Sequence, residues 1–148
     1  MTFQPHLTVA AVIEQNSRFL MVEENVEGQI VLNQPAGHVE AGESFIEAVI
    51  RETLEETAHP FTPQAVTGIY RWQHPDNGIT FVRHTFCGAV GEPDTGLELD
   101  EGILRALWLS PDELRAQRNK LRSPLVMQSI EDYLSGQRYP LKLYRDIP

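Results

Sequence analysis

One stretch constrains this chain more than any other. From Gly37 to Glu56 it reads GHVEAGESFIEAVIRETLEE, which places Gly37, Glu43, Arg51, Glu52, Glu55 and Glu56 in the pattern Gly-x5-Glu-x7-Arg-Glu-x2-Glu-Glu. Ser44 followed three residues later by Glu47 is a capping-box signature, so a helix is predicted over 44–57. At roughly 100° per residue, Glu52, Glu55 and Glu56 fall on one side of that helix. Ile46, Ile50, Thr53 and Leu54 fall on the other. The apolar side is expected to bury against a sheet while the opposite side presents three carboxylates within about one turn.

Like charges at i, i+3 and i+4 repel by a few tenths of a kcal/mol per pair. The single neighbouring cation, Arg51, cannot balance three of them. A divalent cation can. Carboxylates are hard oxygen ligands suited to Mg²⁺ or Mn²⁺, and Mg²⁺ binds through one or two carboxylates together with substrate phosphates. A solvated acidic helix face is the ordinary reading of three Glu in a row of this kind. The full spacing, with a Gly-containing loop in front, argues against it.

Composition narrows the partners. The chain has 148 residues, enough for one domain with a real core, and a net charge of −9. That balance disfavours binding to a nucleic-acid polymer or an anionic membrane. It also opposes a phosphate-rich substrate at long range, so a metal and local Arg residues must supply the attraction. The one cysteine, Cys87, excludes an intrachain disulfide and suits a reducing, cytoplasmic setting. Its strand-like surroundings, ITFVRHTFCGAV, make it a buried inert thiol. The N-terminal stretch lacks the basic and apolar regions of a signal peptide, and no apolar run is long enough to span a bilayer.

The rest of the chain reads as strands with helices between them. Leu7–Ile13 and Arg18–Glu24 are predicted to form a hairpin, followed by a short strand over Gln29–Leu32 and a loop from Asn33 to Gly37. Pro60 and Pro63 bar the helix from continuing. Val66–Gln73 and Ile79–Ala89 read as strands joined by the turn His74-Pro75-Asp76-Asn77-Gly78. Gly91–Asp100 is an acidic loop, and Leu104–Leu109 a strand. Ser110-Pro111 and Ser123-Pro124 each open a helix with a Ser cap and Pro in first position. The tail from Gly136 is expected to pack on the surface. These alternations predict an α/β protein, a single domain with a mixed sheet covered on both faces.

The Gly37–Glu56 residues are a Nudix box, and the chain resembles the Nudix hydrolases. The resemblance implies a Nudix fold: an α/β/α sandwich whose loop-helix-loop binds a divalent metal and a diphosphate. Carried onto this sequence, it makes Glu55 and Glu56 metal ligands, with the Gly37 carbonyl as a further one. Glu52 binds metal or serves as the base, Arg51 orients that carboxylate, and Glu43 braces the loop. Thr53, Ala58 and His59 depart from the usual box, where an aliphatic residue, Gly and an aliphatic residue are common. None of the three removes a carboxylate. The family draws a further acid from a loop before a later strand. Glu98, Asp100 and Glu101 all qualify, with Glu101 taken first.

Arg71 and Arg83 are candidates for phosphate contacts, and Trp72 for stacking on a substrate ring, with Tyr70 and Phe81 beside it. Solvent-facing arginines and core aromatics are the plainer alternatives. The blocks PHLTVA, NQPAGH, LRSPLV and SGQRYPL resemble the NudJ-type phosphatases within the family. That narrower likeness implies Mg²⁺-dependent release of phosphate from nucleoside di- and triphosphates, the thiamin pyrimidine diphosphate and thiamin diphosphate. It also makes Arg122, Ser123 and Arg138 candidates to line the pocket. The expected partner is a small-molecule diphosphate, and the expected state a monomer or homodimer. Two other readings stand beside it. One is a pyrophosphohydrolase of nucleoside triphosphates or nucleotide sugars. The other is a Nudix-fold binding module without turnover, which should have lost the box carboxylates that are retained here.

Overall fold

Two apolar strands, buried on both faces, organise the molecule. In the computed structural model, which is described for residues 2–148, β1 (His6–Val12) and β7 (Thr80–Val90) run parallel at the centre of one sheet. β5 (Ala36–His38) and β6 (Phe61–Gln73) flank them antiparallel, in the order β5-β1-β7-β6. The sheet is therefore mixed. A second sheet is centred on β3 (Arg18–Val26), with β2 (Glu14–Gln15) and β4 (Gln29–Asn33) along one edge and β8 (Ile103–Leu109) along the other. Among the described residues three α-helices complete the fold: α1 (Phe45–Thr57), α2 (Pro111–Ala116) and α3 (Pro124–Leu134).

Alternation along the strands divides the core in two. Val9, Ala11, Ile13, Leu20, Val66 and Phe86 pack with Ala48 and Val49 of α1. Val12, Phe19, Met21 and Cys87 face the other way and pack with Leu114 of α2 and Val126, Met127 and Ile130 of α3. Helices thus cover both faces, as an α/β/α sandwich requires. Cys87 is buried in the second cluster. Among the described residues no helix is long and apolar enough to cross a membrane.

The predicted first hairpin is corrected. β1 pairs with β5 and β7, while the two residues of β2, after a break at Ile13, pair with the start of β3. Local sequence favours a hairpin, but Val9 and Ala11 find more apolar surface in the central position of the other sheet. The loop entering the box contains a strand, β5, because Ala36–His38 complete the edge of β1. The tail is tied down. Tyr139 exchanges two backbone hydrogen bonds with Val66, both 2.8 Å, and Tyr144 packs on Phe45, His84 and Phe86.

Candidate active site

The box helix forms for the local reasons its sequence states. Ser44 caps it by accepting from the Glu47 N–H, and Glu47 returns the bond to the Ser44 N–H, each at 3.0 Å. It ends at Ala58, which adopts the left-handed conformation (φ 58°) and donates to the Leu54 carbonyl. The expected buried face is not the one observed. Ile50 and Leu54 are each 37% exposed, whereas Ala48, Val49, Glu52, Thr53, Glu56 and Thr57 are buried. The helix has turned so that two of its carboxylates, Glu52 (9% exposed) and Glu56 (7%), lie within the buried arc. Thr53 fits there because its hydroxyl donates to the Val49 carbonyl at 2.7 Å. Small residues let the helix sit close to β1 and β5, and this close seating is what hides the acids.

β5 meets that acid face along its backbone. The Ala36 N–H donates to Glu56 Oε1 at 2.8 Å, and the His38 carbonyl accepts from Arg51 Nη2 at 3.0 Å. Gly37 lies directly against the Glu52 carboxylate, where a Cβ would overlap both its carbon and its oxygens. Only glycine permits that approach. Arg51 binds Glu43 through two nitrogens (2.6 and 3.0 Å) and reaches Glu52 (2.9 Å) and Glu55 (3.1 Å) through Nη1. Its guanidinium therefore joins the loop acid to two helix acids. The pair with Arg51 holds the Glu43 carboxyl below its usual range. Burial pushes Glu52 and Glu55 up despite Arg51, and Asp100 adds to this in both.

The acidic loop before β8 supplies a further carboxylate, and it is Asp100 rather than Glu101. A hydrogen bond from the Asp100 N–H to the Glu55 carbonyl (3.0 Å) anchors it at the helix. Oxygens of Glu52, Glu55 and Asp100 all lie within 4.8 Å of one another, while Glu101 is exposed in the turn beyond. Adjacent residues in a turn point apart, so sequence spacing could not choose between them. Behind these acids, burial pushes the Glu56 carboxyl up to about 9, and Glu24, Glu52 and Asp100 reinforce the shift. Among the described residues no ion pair reaches Glu56. A crowd of hard oxygen donors with too few cations fits a divalent metal of the Mg²⁺ or Mn²⁺ type.

Comparison with known proteins agrees with this geometry. The NUDIX domain family matches residues 4–128 of the chain. The chain is a Nudix hydrolase. It is accordingly an enzyme, a hydrolase acting on phosphoanhydride bonds, and not a bare binding module. It is similar to Phosphatase NudJ of Escherichia coli K12 and of Shigella flexneri, at 42% identity over 97% of this chain and 93% of each relative. A NUDIX hydrolase from Nitrosomonas europaea superposes with a TM-score of 0.95 and 54% identity, over 97% of this chain and 98% of that one. A UDP-X diphosphatase shares the fold at a TM-score of 0.74 and 17% identity, over 95% of this chain and 68% of that one.

The substrate candidates of this Nudix hydrolase separate in space. Arg71 and Arg83 do not act together: Arg83 is cross-strand partner to Tyr70 and Arg71 to Val82, so the two face opposite sides of the sheet. Arg71 is exposed. Arg83 is only 5% exposed, and its Nη2 is held by Gln34 Oε1 (2.6 Å) and Asn33 Oδ1 (3.2 Å). Burial without a carboxylate partner lowers it to about 10. It ties down the β4–β5 loop that presents Ala36 and Gly37, with Gln34 also donating to the Val126 carbonyl at 2.8 Å. Arg122 pairs with Glu24 at 2.5 Å and is near enough to His38 to act on it electrostatically. Ser123 accepts from the Leu125 N–H and caps α3. Arg138 lies over the Tyr133 ring and donates to the Tyr133 and Gln137 carbonyls, so it closes the end of α3. Trp72 stacks on Phe81 at 6.1 Å between ring centroids.

Sequence reasoning missed Glu24. It is 5% exposed on β3 and acts on Glu56. The one available signal was a pair of acids interrupting the apolar run FLMVEEN.

Proposed function

We propose that this enzyme is a Mg²⁺-dependent phosphatase that releases inorganic phosphate from nucleoside di- and triphosphates, from the thiamin pyrimidine diphosphate and from thiamin diphosphate. The observation that carries the reading is the convergence of Glu52, Glu55 and Asp100 on one point, with Glu56 and the Gly37 backbone behind it. The likeness to Phosphatase NudJ supports the release of phosphate. Glu55, Glu56 and Asp100, with the Gly37 carbonyl, would hold the cation; Mn²⁺ would substitute. When bound, it would neutralise phosphoryl oxygens and lower the pKa of water.

The protein's own groups position the reactants. Glu52 takes a proton from the attacking water. Its basicity is raised by burial, and Arg51 fixes its direction. Glu43 holds Arg51 in place, so its contribution is to positioning. Arg122 is free to exchange its contact with Glu24 for a substrate phosphate, a group that suits the bidentate guanidinium. The enzyme would act in the cytoplasm on small soluble diphosphates, as a monomer or homodimer, with no part for a nucleic-acid polymer or a membrane.

The test is product analysis with Mg²⁺ near pH 8. The panel holds nucleoside tri- and diphosphates, thiamin diphosphate, the thiamin pyrimidine diphosphate and ADP-ribose. Phosphate released one group at a time is the expected result. Pyrophosphate or a nucleoside monophosphate as first product from a triphosphate would refute the phosphatase reading.

A further inference from the structure

Four rings lie together on the sheet face that carries Arg83, one residue along β5 from the contact of Gly37 with Glu52, and nothing in the hydrolytic chemistry uses them. Register places His6 of β1, Phe81 of β7 and Trp72 of β6 in one cross-strand row. His38 of β5, opposite Thr8, stands in the next row on the same face, level with Arg83 and Tyr70. The centroid distances are 5.1 Å for His6–His38, 5.4 Å for His6–Phe81, 6.4 Å for His38–Phe81 and 6.1 Å for the stacked Trp72–Phe81 pair. His6, Phe81 and Trp72 are half-buried, and His38 is exposed. Helix α3 reaches this face at Tyr70, whose hydroxyl donates to Asp132 at 2.6 Å.

The row is coupled to the acid site through one residue. His38 follows Gly37, which touches Glu52, and its carbonyl accepts from Arg51. Its ring is bound to His6 by an Nδ1 to Nε2 hydrogen bond of 3.0 Å. That bond has a consequence for recognition. A neutral imidazole carries one N–H and one bare nitrogen. If His6 donates, His38 keeps its proton on Nδ1 and the outer nitrogen of His6 is bare. If His38 donates, the roles reverse. Either way the pair offers one donor and one acceptor on its outer nitrogens, next to two stacked aromatic faces.

We propose that His6, His38, Phe81 and Trp72 form the subsite for the ring of the substrate. The ligand class is a planar nitrogen heterocycle with neighbouring hydrogen-bond donor and acceptor groups, such as cytosine. The inference deepens the phosphatase reading and rests on it. Phe81 and Trp72 supply the stacking face, and the imidazole pair reads the ring edge. Cross-strand aromatic pairs also stabilise sheets, so the test must separate recognition from folding.

Steady-state kinetics of the wild type and Phe81→Leu are compared on cytidine triphosphate and on inorganic tripolyphosphate, which has no ring. Stacking of one base is worth roughly tenfold or more in affinity. The ratio of kcat/KM between the two substrates should fall by about that factor, through KM for the nucleotide. A parallel loss on both substrates, or no change on either, overturns the subsite. Should the wild type hydrolyse neither compound, the phosphatase reading fails on its own account. The subsite is then judged by quenching of tryptophan fluorescence with cytidine monophosphate. A saturable quench that weakens roughly tenfold in Phe81→Leu supports it, and no quench at millimolar ligand refutes it.

Discussion

Glu56→Gln is the most informative substitution, because glutamine has nearly the shape of the protonated acid. In the folded protein burial pushes the Glu56 carboxyl from 4.5 up to about 9. A carboxyl raised on folding leaves its stability intact below about pH 4.5 and loses it as pH climbs toward 9. Near pH 7.5 the folded state must keep a proton that the unfolded chain has released about three pH units earlier. That costs up to about 4 kcal/mol, at about 1.4 kcal/mol per pH unit. Glutamine escapes the cost and keeps an oxygen for the Ala36 N–H. The metal-free variant should therefore match the wild type near pH 5 and melt on the order of 10 °C higher near pH 8. Some pH slope should remain, because Glu52 and Glu55 are also raised.

The same proton should appear in metal binding. Calorimetric Mg²⁺ titrations near pH 7.5, in buffers of differing ionisation enthalpy, should show close to one proton released by the wild type and less by the variant. Turnover should fall by two orders of magnitude or more. A variant that melts below the wild type at pH 8, or by the same margin at pH 5 and pH 8, would refute the argument that a buried, raised carboxyl sits at position 56.

Four further substitutions test other contacts. Gly37→Ala should retain its circular dichroism spectrum yet lose roughly a hundredfold in kcat, since a Cβ displaces the Glu52 carboxylate; activity within a few fold would show that the approach is not needed. Asp100→Asn should weaken Mg²⁺ activation roughly tenfold or more, on the scale of other losses at metal sites, while Glu101→Gln should leave it unchanged. The reverse pattern would restore the order expected from sequence. Arg51→Lys should cost about 2 kcal/mol of stability and at least tenfold in kcat, because an ammonium cannot span Glu43, Glu52 and Glu55 together. Wild-type melting and turnover in that variant would mean that charge alone suffices.

The sequence by itself determined the chemistry and the helix that carries it. Glu52, Glu55 and Glu56 sit on consecutive turns, Ser44 and Glu47 cap them, and both facts are local, set by the period of the helix and the reach of a hydroxyl. Most strands were legible for the same reason, as were the capped starts of α2 and α3, but β2 and β5 were not, because each is short and owes its form to pairing with a neighbour. Which side of α1 is buried was not local. Ile50 and Leu54 are the more apolar residues, yet close seating on β1 and β5 favours Ala48, Val49 and Thr53 and draws Glu52 and Glu56 inward.

Tertiary structure alone also decided the partners of the site. Asp100 joins the carboxylates because its backbone is hydrogen-bonded to the end of α1, and Glu24 arrives from the other sheet. Arg83, a phosphate candidate by residue type, is buried as a clamp on Asn33 and Gln34. His6, His38, Phe81 and Trp72 come from four strands and meet only through register. Spacing within one element can be read along a chain. Distance between elements depends on how their surfaces pack, and that is settled only when all of the elements are in place.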